Sequence, residues 1–184
     1  MHTDLVGPTT IKGLKGERYF MLLIDDYTRM TAVFFLKNKS EAFENFKIYK
    51  EMVENEMDSR IKCLRSDNGG EFTSKEFMDY WSNHGIKRQF SIARTPQQNG
   101  VVERKNRTVQ EMASKLTDIF WTHAVHTTVH IQNRVMLRNN NDKTSYELWK
   151  GRPKNVKHFR VFGRKCYIKR EDGRIGKFDS HVDK

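Results

Sequence analysis

The chain has 184 residues and a formal net charge of +11, with 31% charged and 11% aromatic side chains. That suits one domain of ordinary size plus an appendage, with a very polar surface but enough aromatic content for a core, and it excludes a disordered chain. Two cysteines, Cys63 and Cys166, supply neither a disulfide framework nor a zinc cluster. The longest apolar run, Tyr19 to Ile24, is far short of the roughly 20 residues that span a bilayer, so no membrane partner is expected.

In chain order, His2 to Val6 reads as a strand stopped by Gly7-Pro8, and Thr9 to Glu17 as a loop. Arg18 to Ile24 and Met30 to Leu36 read as two strands of a hairpin turning at Asp25-Asp26-Tyr27-Thr28. Asp25 and Asp26 are taken as turn residues, because Asp bonds its own local backbone there. A helix follows, capped by Ser40, with Phe43, Phe46, Tyr49, Val53 and Met57 on one face. Ile61 to Ser66 is a strand that delivers Asp67 at its end. Thr73 and Glu76 fit a capping box for a short helix carrying Phe77, Tyr80 and Trp81, which stops near Gly85. Ile86 to Ile92 reads as a strand, and Thr95 to Gly100 as a polar, proline-marked loop. Helices are expected over Val101 to Leu116, with Glu103 at the opening, and over Phe120 to Leu137. Beyond the break at residues 139–142, a short helix near Tyr146 to Trp149 and strand-like runs at Phe159 to Phe162 and Cys166 to Ile168 remain. This order fits a mixed sheet flanked by helices, an α/β fold, with a core over residues 1–138 and a small basic C-terminal extension over 139–184.

Charge is unevenly placed. Residues 1–86 carry 12 Lys and Arg against 14 Asp and Glu, whereas residues 87–184 carry 22 against 9. A basic half of this kind points to a polyanionic partner. Three carboxylates stand out beside it: Asp4 in His2-Thr3-Asp4-Leu5, Asp67 in Arg65-Ser66-Asp67-Asn68-Gly69-Gly70-Glu71-Phe72, and Glu103 in Thr95-Pro96-Gln97-Gln98-Asn99-Gly100-Val101-Val102-Glu103-Arg104. Exactly placed or not, any one of them alone would be an ordinary surface acid. As an ordered set on three elements, with 35 residues between Asp67 and Glu103, they can converge on divalent cations, chemistry suited to phosphodiester transfer.

These motifs, with Ile24-Asp25-Asp26-Tyr27-Thr28-Arg29, resemble the catalytic core of retroelement integrases of the copia type. The resemblance runs from residue 2 nearly to the C-terminus. It implies a ribonuclease-H-like fold and an enzyme of the Asp-Asp-Glu type, a polynucleotidyl transferase and endonuclease that joins element DNA 3′ ends to target DNA. It implies Asp4, Asp67 and Glu103 as catalytic residues and metal ligands for two Mg2+ or Mn2+ ions, and action in the nucleus as a homo-oligomer. Full members carry a histidine- and cysteine-rich zinc domain before the core, and Gly176-Lys177-Phe178-Asp179 resembles the start of a segment that continues further, so the chain is expected to be a fragment. An inactive DNA-binding remnant and a hydrolytic ribonuclease-H-type nuclease stay open as alternatives.

Asn106, Arg107 and Gln110 follow Glu103 at helical spacing and so share its face, where Arg pairs with phosphate and amides donate to oxygen. With Gln98 and Asn99 of the preceding loop they form the expected DNA-contact set. His123, His126 and His130 also share a helical face, but without a suitably spaced acidic or cysteine partner they read as packing or solvated polarity.

Overall fold

A continuous apolar run with both faces covered makes the centre of the molecule. The computed structural model describes residues 1–67, 69, 75–90, 96–113, 118–138, 141–165, 168, 169, 182 and 183. Strands β1 (His2–Val6), β2 (Tyr19–Ile24) and β3 (Thr31–Leu36) form an antiparallel meander. Phe20 through Ile24 are all 2% exposed or less, as expected of a strand buried on both sides. At the end of β1, Gly7 has φ 131° and any Cβ there would stand 2.5 Å from the Arg18 carbonyl oxygen, so the turn requires glycine. Strands β4 (Cys63–Ser66) and β5 (Lys87–Phe90) complete a five-stranded sheet in the order β3-β2-β1-β4-β5, with β4 parallel to β1 and β5 parallel to β4.

Side-chain alternation divides β2 between two cores. Met21 and Leu23 face α1 (Ala42–Met57) and α2 (Lys75–His84), where Phe46, Tyr49, Phe77 and Trp81 pack. Phe20, Leu22 and Ile24 face α3 (Pro96–Ala113) and α4 (Trp121–Val135), meeting Val102, Val109, Ala124, Val125 and Val129. Trp121 lies 6.2 Å from the Phe20 ring and 5.7 Å from Phe35. Asn133 bonds both backbone groups of Thr31, accepting its N–H at 3.1 Å and donating to its carbonyl at 2.8 Å, which pins α4 to the start of β3.

A short helix, α5 (Ser145–Lys150), follows a capping box in which Thr144 accepts the Glu147 N–H and Glu147 accepts the Thr144 N–H. Its Tyr146 ring lies 4.4 Å from the Arg134 guanidinium of α4, while Trp149 and Lys150 both donate to Glu56 of α1. Residues 144–150 therefore pack against α4 and α1. Two short strands, β6 (Ile168–Lys169) and β7 (Val182–Asp183), pair with each other.

Several local expectations change. Ser40 lies inside a 3-10 turn, Lys39–Glu41, rather than capping a helix; Glu41 accepts the N–H groups of Lys37 and Asn38 instead. Helix α3 begins at Pro96, so the expected loop from Thr95 to Gly100 is helical from its second residue. Proline suits the first helical position, where its missing N–H has no intrahelical acceptor to lose. Phe159 to Phe162 is not a strand: it runs irregularly between turns at Lys157-His158 and Phe162-Gly163. The Thr73 cap, Cys166 and residues 170–181 lie outside the described residues. Among those described, no helix is long and apolar enough to cross a membrane.

Candidate active site

The β1–β4 pairing sets the site. These parallel strands share one registered pair, His2 with Arg65, extended by the Arg65 N–H donating to the Met1 carbonyl at 2.8 Å. Two residues further along each strand, that register brings Asp4 level with Asp67, where the strands part. Laterally opposite residues of a parallel pair project to the same face, and Asp4, partnered with the buried Leu22, faces the α3 layer. Open α/β sheets bind ligands beyond the carboxyl ends of such strands.

Helix α3 is tied to this point. Asn106 is 7% exposed, and its amide nitrogen donates to Asp4 Oδ2 in a short hydrogen bond, while the Leu5 N–H donates to Asp4 Oδ1 at 2.9 Å. The amide oxygen of Asn106, Oδ1, is buried with no hydrogen-bond partner among the described residues. Asp67 Oδ1 accepts the Gly69 N–H at 3.2 Å, and the Ser66 hydroxyl donates to the Asp67 carbonyl at 2.9 Å. Glu103, one helical turn before Asn106, is exposed. It lies two turns inside α3 rather than at the helix opening. Among the described residues no group of three His, Cys, Asp or Glu side chains is drawn together tightly enough to hold a metal ion. Asp4 lies on β1, Asp67 follows β4, and Glu103 lies on the helix that Asn106 ties to Asp4.

The DNA-contact set divides. Arg107 and Gln110 are exposed beside Glu103, and Arg107 lies 3.9 Å from Glu111, a loose solvent-screened pair. Asn106 is not on that exposed strip: it is buried, and its donor is committed to Asp4. The backbone of Gln98 and Asn99 is in the first turn of α3, and their side chains lie outside the described residues, as do Asn68, Glu71 and Arg94.

Asp26 is a residue whose role sequence reasoning missed. Asp25 is the turn residue expected, accepting the Thr28 N–H and hydroxyl at 2.7 and 2.8 Å. Asp26 instead joins three elements: His2 of β1 at 2.9 Å, Arg65 of β4 at 2.6 Å and Arg29 of the β2–β3 turn at 2.6 Å. Partial burial works to raise its pKa, but the hydrogen bonds from His2, Arg29 and Arg65 outweigh it and hold the carboxyl well below the usual range. The only sequence signal was a period-two alternation placing His2 and Arg65 on one face with Asp4 and Asp67. Of the histidine stripe, His130 packs 5.4 Å from Phe159 and 6.2 Å from His158.

Residues 1–96 match the integrase core domain family. The chain belongs to that family. It is 37% identical over 173 residues to the retrovirus-related Pol polyprotein from transposon TNT 1-94 of Nicotiana tabacum, covering 91% of this chain and 13% of that protein. It is 35% identical over 168 residues to the corresponding polyprotein from transposon RE2 of Arabidopsis thaliana, covering 88% and 11%. The chain thus spans about a tenth of the length of these curated relatives, and it is a retrotransposon integrase catalytic core. Among solved structures it resembles the HTLV-2 integrase catalytic core domain in complex with magnesium, in trimeric form, with a TM-score of 0.55 at 19% identity over 79% of this chain and 92% of that one. The catalytic core of BIV integrase gives 0.58 at 17%, over 82% and 92%. A chain of the simian T-cell lymphotropic virus intasome, solved with PP2A regulatory subunit B56 gamma, gives 0.64 at 18%, over 98% and 64%. These likenesses establish the ribonuclease-H-like fold of the integrase core.

Proposed function

We propose that this integrase core carries out metal-dependent polynucleotidyl transfer, joining element DNA 3′ ends to target DNA. The observation that carries the reading is the register that sets Asp4 level with Asp67, with Asn106 docking the helix of Glu103 onto Asp4. The donor set fits a hard divalent cation, since all three groups are carboxylates and a partnerless amide oxygen lies beside Asp4. Asp4, Asp67 and Glu103 would hold two Mg2+ or Mn2+ ions, whose chemistry is to lower the pKa of an attacking hydroxyl and take up charge on a leaving oxygen. The HTLV-2 core bound to magnesium supports this assignment.

The protein's own residues orient these ligands. Asn106 fixes the Asp4 carboxylate, the Gly69 N–H fixes that of Asp67, and Asp26 holds β1 beside β4 through His2 and Arg65. Arg107 and Gln110, exposed along α3, contact the DNA backbone, joined by Gln98 and Asn99. In the reaction the element's 3′-hydroxyl loses its proton and bonds to a target phosphorus as the target strand's own 3′-oxygen leaves. Backbone contacts carry no base code, so target choice depends weakly on sequence. The chemistry acts on nuclear DNA and within a multimer; the intasome and the trimeric core support the multimer.

Purified protein, a labelled DNA end, plasmid target and Mg2+ or Mn2+ test the reading. Glu103→Gln and Asp67→Asn are expected to lower joined product on the order of 100-fold or more, with melting unchanged for the exposed Glu103. Joining retained in Glu103→Gln refutes its assignment. Hydrolysed strands without joined product would identify a nuclease, and DNA binding without any product an inactive remnant.

A further inference from the structure

On the flank of α3 turned away from Glu103, a cleft of about 450 Å³ opens between that helix, the C-terminal end of α4 and the β2–β3 turn. Helical spacing gives α3 three flanks. Val102, Asn106 and Val109 point inward, and Glu103, Arg107 and Gln110 lie to one side. Arg104, Lys105 and Thr108 lie to the other and line the cleft. Arg29 and Arg138 join them from the turn and from beyond α4, and among the described residues no Asp or Glu lines it.

Most of this charge is uncompensated. Arg29 shares its charge with Asp26 at 2.6 Å, and Arg138 donates to the Tyr27 carbonyl at 3.3 Å. Arg104, Lys105 and Arg138 have no ion-pair partner among the described residues. The cleft also includes Gln132, 2% exposed, whose Oε1 has no hydrogen-bond partner and whose nitrogen meets only the Met112 sulfur at 3.6 Å. A buried amide oxygen left without a donor is destabilising, so a ligand that supplies one is favoured there.

A ligand that answers both deficits carries an anion and a hydrogen-bond donor within a few ångströms of each other. We propose that this cleft seats one nucleotide unit of a bound nucleic-acid strand, with its phosphate against Arg104, Lys105 and Arg138 and a base N–H or terminal hydroxyl donated to Gln132. The inference rests on the DNA-engaging reading above and adds a contact on the opposite flank of the same helix. A helix with its side chains is about 10 Å across, so a strand crossing α3 reaches both flanks within a few nucleotides. That proximity favours nucleic acid over an acidic protein segment, which would bring anions and N–H donors but has no second contact to follow.

The test uses the full chain, a short labelled DNA and fluorescence anisotropy across a salt series without divalent metal. Lys105→Met/Arg138→Gln is compared with wild type, and thermal melting monitors the fold. The double variant is expected to bind about 10-fold more weakly and to lose about 0.7–0.9 from the slope of log affinity against log salt, the signature of one phosphate contact. Gln132→Leu removes the orphaned oxygen without touching charge, and should weaken DNA binding severalfold while leaving the salt slope unchanged. Unchanged affinity and slope in both variants overturn the cleft alone. Wild-type protein that binds no DNA overturns the cleft and the DNA-engaging reading together. A poly-Glu peptide held by wild type and released by the double variant, with DNA affinity unchanged, also overturns the proposal and assigns the cleft to an acidic protein segment.

Discussion

The two edges of β1 are held in different ways. Towards β2 it makes five registered pairs, from His2–Ile24 to Val6–Phe20; towards β4 it makes one, His2–Arg65. A backbone ladder thus fixes the height of Asp4 from one side, while side chains supply the fixation on the other. Asp26 gathers His2 and Arg65 across the seam, and Asn106 presses onto Asp4 from α3. Beyond that single pair the two strand ends run on past one another unladdered, beside Asp4 and Asp67. The lesson is that the laddered edge provides stability and the sparsely paired edge provides the site.

Substitutions on either side sharpen this contrast. Leu22→Ala, on the laddered side at 0% exposure, should cost about 2–5 kcal/mol in urea denaturation, with the loss spread over the whole sheet. Asn106→Ala leaves Asp4 without its amide donor and should cost about 1–3 kcal/mol. Strand joining should fall further than that stability loss explains, and equal loss at stabilising temperature and cosolvent would reduce Asn106 to packing. Asp26→Asn touches a half-exposed network, so its global cost should be about 1 kcal/mol or less. Hydrogen exchange at the Arg65 amide should nonetheless accelerate more than at β2 or β3, and uniform acceleration would break the contrast between the edges.

Acid provides the smallest and most graded probe. Burial holds His2 below the usual imidazole range against the pull of Asp26, and burial together with Arg134, His126 and His158 does the same to His130. The unfolded chain therefore takes up protons first, so stability is full above about pH 6.5 and falls as pH drops through that value. The depressed Asp26 carboxyl contributes stability above about pH 3.9 that is lost on further acidification. His130→Gln should flatten the first phase of a urea-midpoint profile and leave the second.

Much of this was legible in the sequence because its physics is periodic. The strand runs of β1 to β3, the apolar face of α1 and the short helix near Tyr146 to Trp149 all follow from local patterning. Asp4, Asp67 and Glu103 stood out because each sits in a polar, glycine-bearing or proline-bearing context that packing alone does not demand. The start of α3 was not legible, since Pro96, Asn99 and Gly100 are turn formers that outweighed the helix preference of Gln97 and Gln98 in a local reading. Phe159 to Phe162 has strand-like composition but no partner strand, and composition without pairing does not make a sheet. The roles of Asp26 and Asn106 depend on contacts 24 to 102 residues away, which no local pattern encodes.

The strap from Thr144 to Lys150 reaches from Arg134 on α4 to Glu56 on α1. During synthesis the meander of β1 to β3 emerges first, and its neighbours in space are neighbours in the chain, so it can pair early. Glu56 waits far longer: its partners Trp149 and Lys150 follow 93 and 94 residues behind it. A transcript carrying a stop codon just before Thr144 would therefore encode every strand of the main sheet and all three acidic residues, yet leave the late clasp between the two helical layers unmade.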